Sequence, residues 1–112
     1  IRCTGAATAL ALTDILIRDA NLGLVVLDLR HTTEAELRRI PAQQWYRLQR
    51  AVEATDLALV VETPHACIAS AHVRLSLQAP QSPDSWQRER NQLTAALAPT
   101  VERQRALRAF GR

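Results

Sequence analysis

The chain has 112 residues and a formal net charge of +3, and 47% of its residues are hydrophobic but only 4% aromatic. That size fits one small domain with an aliphatic, alanine-rich core, and the apolar content argues against a disordered chain. All 14 basic residues are arginine, so a P-loop lysine, a Schiff base and any other lysine chemistry are excluded within this sequence.

Thr4 and Gly5 offer a helix start, and Ala6 to Ala20 read as a helix. Ala9, Leu12, Leu16 and Ala20 form one apolar stripe and Leu10 with Ile17 a second, while Thr13, Asp14 and Arg18 mark the wet face. Asn21 and Gly23 allow the helix to stop. Leu24-Val25-Val26-Leu27-Asp28-Leu29 is a continuous apolar run broken by one acid, the pattern of a parallel strand buried on both faces. Thr33 and Glu36 have capping-box spacing, which predicts a short helix that Pro41 interrupts. A further helix is expected from Ala42 to Thr55, with Trp45, Leu48 and Val52 inward. Leu57 to Val61 reads as another buried strand and Pro64 to Ser70 as a loop. Ala71 to Leu77 alternates, which predicts a strand with His72, Arg74 and Ser76 in solvent and Val73, Leu75 and Leu77 buried. Ala79 to Ser85 reads as a linker, and Asp84 to Ala98 and Thr100 to Ala109 as helical, with Pro99 between them and Trp86 anchoring the arm.

Strands separated by helices imply βαβ units. The expected architecture is α/β, with a mostly parallel sheet of three to four strands and flanking helices. It is divided into a core (residues 1–79) and a linker with a C-terminal helical arm (residues 80–112).

Cys3 and Cys67 form no disulfide framework and no CxxC pair, so both are read as reduced thiols of a cytoplasmic protein. A zinc site from His65, Cys67 and His72 is set aside, because the spacing matches no finger or catalytic ligand set. No cofactor and no metal are expected. No stretch reaches the roughly 20 apolar residues of a membrane span, so no membrane partner is expected. The sequence contains no methionine and begins at Ile1, and we read it as a fragment or processed form.

Two stretches, RDANLGLVVLDLR and LRRIPAQQWYRLQRAVEATDLALVVETP, with Val73-Arg74-Leu75 after them, resemble the RecA recombinase family. Within it they look most like the ImuA group, RecA-like proteins that accompany error-prone polymerases in bacterial damage responses. The likeness covers residues 1–78 and implies part of a three-layer RecA-like core. It places Asp28 at the Walker B position, where an acid orients Mg²⁺ and water. It places Thr63 where the recombinases carry a glutamine that senses nucleotide and moves the DNA loop, a departure from the family's pattern at that switch. The phosphate loop GxxxxGKS or GxxxxGKT is absent, so nucleotide binding by the full-length protein would need upstream sequence. Pro64 to Ser70 has neither the glycines nor the basic residues of the family's second DNA loop, which argues against strand exchange and for the ImuA branch. In the family a further strand lies between those corresponding to Leu57–Val61 and Ala71–Leu77. Its absence implies exposed sheet edges, and hence a homodimer or swapped assembly with the N-terminal helix at or near the interface.

The arginines support a second reading. Arg38, Arg39, Arg47 and Arg50 are candidate phosphate contacts, although Glu34, Glu36 and Glu53 interleave with them. Glu62 and His65 are the best acid/base pair in the sequence, and they lack a nucleophile. The expectation is therefore a non-catalytic interaction or scaffold module in DNA repair and the SOS response, working with itself or a repair polymerase. The alternative is a DNA-binding remnant of a RecA-like ATPase.

Overall fold

A computed structural model describes residues 1–78 and 82–105. The chain is mixed α/β and divides into two compact units, Ile1–Ala71 and a second beginning at His72. The first unit runs α1 (Ala6–Leu16), β1 (Leu24–Asp28), α2 (Glu34–Arg38), α3 (Ala42–Glu53) and β2 (Ala58–Glu62). β1 and β2 pair in parallel, Leu24 opposite Ala58 through Asp28 opposite Glu62. A parallel pair cannot be closed by a hairpin, and α2 with α3 supply the crossover.

The core of this unit lies on one side of the sheet. Val25, Leu27 and Leu29 point into it and meet Leu10 and Ile17 of the α1 segment, Leu37 of α2, and Trp45 and Leu48 of α3. The inner stripe of α1 is the second of the two apolar stripes, Leu10 with Ile17, joined by Ala6 and Thr13. Thr13 is therefore buried rather than on the wet face. Its hydroxyl donates to the Ala9 carbonyl at 2.8 Å, which satisfies its polarity inside the helix.

The Thr33–Glu36 box forms only in part. The Glu36 N–H donates to Thr33 Oγ1 at 3.2 Å, as the spacing predicts. The Glu36 carboxylate instead accepts the N–H of Ala6 at 2.9 Å. Gly5, the N-cap of α1, has no side chain with which to cap it, so an acid distant in sequence supplies the acceptor. A cap of this kind contributes about 1 kcal/mol.

The parallel strand expected to be buried on both faces is buried on one. Leu24 is 58%, Val26 52% and Val60 45% exposed, because the crossover helices cover a single side. The expected sheet of three to four mostly parallel strands is likewise replaced by two sheets of two strands each.

In the second unit β3 (Val73–Gln78) pairs antiparallel with β4 (Ala98–Gln104), with a bulge between Arg74 and Leu75. Residues 100–104, expected to be helical, are thus strand. Pro99 cannot donate a helical N–H, Thr100 and Val101 are β-branched, and the β3 ladder is available to them. Between these strands lie a 3₁₀ turn (Pro83–Gln87) and α4 (Arg90–Ala95), shorter than the expected helix. Linker residues 79–81 and the end of the expected helix, residues 106–109, lie outside the described residues. The alternation of β3 is as read but its faces are inverted: Val73, Leu75 and Leu77 are exposed, and Arg74 and Ser76 are half-buried. Trp86 is 85% exposed and anchors nothing among the described residues.

Candidate functional site: the open face and carboxyl end of the parallel strands

Residues of even number on β1 and β2 share the uncovered face. Three cross-strand pairs compose it: Leu24 with Ala58, Val26 with Val60, and Asp28 with Glu62. The first two are apolar. The third sets two carboxylates opposite each other at the carboxyl end of the sheet, an arrangement that is repulsive by itself.

Arg30 resolves it. Its Nη2 lies 2.8 Å from Asp28 Oδ2 and its Nε 3.0 Å from Glu62 Oε2. Arg30 Nε and its backbone N–H also donate to Asp28 Oδ1, each at 3.0 Å. The β1–β2 ladder continues one step beyond the strands, the Leu29 N–H donating to the Glu62 carbonyl at 2.8 Å. This brings the guanidinium over both acids.

The Asp28 carboxyl is held well below the ordinary carboxylate range, chiefly by the hydrogen bond from the Arg30 side chain and then by that from the Arg30 backbone. Arg30 is pushed up in turn by Asp28. A depressed carboxyl stabilises the fold fully above the ordinary carboxylate range, and that contribution is lost as pH falls through this range toward the folded value. In Arg30→Ala the Asp28 carboxyl should therefore titrate markedly higher, as followed by carboxyl-carbon NMR. An unchanged titration would show that Arg30 does not set it.

Asp28, expected from the resemblance at a Walker B position, is thus engaged by the Arg30 guanidinium. Thr63, expected from the resemblance at a sensor position, donates its hydroxyl to the His65 carbonyl at 2.7 Å in the loop that leaves β2. Of the candidate phosphate contacts, Arg38 pairs with Glu34 within α2, and Arg47 reaches Asp14 of α1 at 3.4 Å. Arg39 and Arg50 are exposed. The four arginines are therefore split between pairing with acids and facing water. Among the described residues no group of three or more His, Cys, Asp or Glu is placed to hold a metal, and no helix is long and apolar enough to cross a membrane.

In the sequence Asp28 closes one apolar run and Glu62 follows another, but nothing in it joins them through Arg30. The signal was Asp28-Leu29-Arg30, in which an aspartate accepts the backbone N–H two residues on and so holds the Arg30 side chain beside it.

No protein-family model, curated protein or solved structure matches this chain.

Proposed function

We propose that the chain is a non-catalytic interaction module of the RecA-like, ImuA-type damage-response class, and that the open face of β1–β2 is its working surface. One observation carries this reading: Leu24, Val26, Ala58 and Val60 form an exposed apolar patch bounded at one end by the Asp28–Arg30–Glu62 ion triad. An apolar centre with a charged rim is the composition of a protein interface. Parallel strands are ordinarily covered on both faces. A two-stranded sheet also leaves both outer edges open to a further strand. The engagement of Asp28 by Arg30 supports a role for this acid other than orienting a metal ion.

The partner we assign is a second copy of the chain. The apolar patch carries no charge, so two copies can meet there without like-charge repulsion. Light scattering across a concentration series should give a mass above that of the monomer. Val60→Asp should return it to the monomer value with the circular dichroism unchanged. A wild-type chain that stays monomeric at the highest concentration reached would overturn the assignment.

The DNA-binding reading ranks second. It is favoured by the exposure of Arg39 and Arg50 and by the net charge of +3, and weakened by the acids that hold Arg38 and Arg47. If it holds, a mobility shift with duplex DNA weakens steeply with salt and is lost in the Arg47→Ala, Arg50→Ala double variant.

A further inference from the structure

A cleft of about 210 Å³ lies within the first unit, between the corner where α2 meets α3 and the loop that follows β2. It is separate from the open sheet face. Leu37 and Trp45, both buried in the core, contribute to its apolar walls. Tyr46, Arg38, His65 and Cys67 also line it, and the exposed Arg38 guanidinium lies beside Glu34 at its rim. No acid lines it, and Arg38 is the one lining residue with a permanent charge.

The loop after β2 leaves the carboxyl end of a parallel strand, which is where open α/β sheets place their ligands. A concave site with apolar walls and a few convergent polar groups is the usual form of a small-molecule pocket. Two aromatic side chains favour a flat body stacked or edge-on. The cation favours one anionic group. Arg38 is bound to Glu34, but both ends of that pair are largely exposed. An exposed pair four residues apart on a helix is weak enough for a ligand anion to displace.

We propose that this cleft binds a small aromatic carboxylate, its ring between the Trp45 and Tyr46 side and the loop, its carboxylate on Arg38. His65 stands as a second donor. The proposal is independent of the interaction reading, since it uses none of the open-face residues.

Cys67 provides a reporter within the cleft. In a Cys3→Ser chain, the rate at which N-ethylmaleimide modifies Cys67 is measured as benzoate is added. Benzoate should slow the reaction severalfold and saturably, half-maximally at about 1 mM, the range expected for a fragment of this size. Benzamide, with the same ring and no charge, should protect about tenfold more weakly, and benzylamine not at all. Arg38→Ala should raise the benzoate concentration needed about tenfold, and Ala69→Phe, which fills the cleft, should abolish protection. A modification rate unchanged by benzoate up to about 10 mM, or equal protection by benzoate and benzamide, would overturn the proposal. The three ring compounds decide it on the one chain, even if a variant fails to fold.

Discussion

Trp45→Ala should lower the stability of the first unit by about 3–5 kcal/mol, the range for removing a buried large aromatic side chain. A small domain has only about 5–15 kcal/mol in total, so the variant should be largely unfolded or close to it. The indole is 6% exposed and belongs to the cluster that joins α3 to β1 and α1. The other tryptophan, Trp86, is 85% exposed, and Trp86→Ala should change stability by no more than about 0.5 kcal/mol. Urea unfolding followed by far-ultraviolet circular dichroism distinguishes the two. Equal midpoints for the two variants would mean that the core is not organised around Trp45.

Leu27→Asp and Val26→Asp should have opposite consequences, although the residues are neighbours. Leu27 points into the core with Leu37 and Trp45, and no cationic residue is among the buried described residues. An unpaired buried charge costs several kcal/mol, so Leu27→Asp should abolish the cooperative thermal transition. Val26 lies on the open face opposite Val60, and Val26→Asp should keep a transition within a few degrees of the wild type while removing self-association. A fold lost in both variants would show that the face assigned as open is part of the core.

The elements of the first unit were legible in the sequence because short-range physics sets them. The Thr33–Glu36 spacing starts α2, Pro41 separates it from α3, and Trp45 and Leu48 recur at helical spacing and do point inward. What was not legible depended on which surfaces find a cover. Leu24-Val25-Val26-Leu27 reads as buried on both sides because every residue is apolar, yet the helices available from its own crossover reach only one side. Thr13 reads as polar and proves buried, because a hydroxyl bonded to the Ala9 carbonyl no longer needs water. Residues 100–104 read as helix from the spacing of a few apolar positions, and the β3 ladder overrides that spacing. Tertiary pairing routinely outweighs weak local preference in this way.

The same distinction applies to the site. The acids ending β1 and β2 could be placed from sequence, because each closes an apolar run. Their pairing could not, because it depends on the register that sets Asp28 opposite Glu62. Nor could the cleft, whose walls come from the α2–α3 corner and from a loop some twenty residues further along the chain.

Self-association through the open face of β1–β2 covers that face when chains meet. Amide hydrogen exchange measured at low and high protein concentration tests this at the residues concerned. Amides of Leu24 to Asp28 and Ala58 to Glu62 should gain protection as concentration rises, and Val60→Asp should remove the gain. Exchange in these two strands that is the same at both concentrations, in a chain that remains folded, would contradict it.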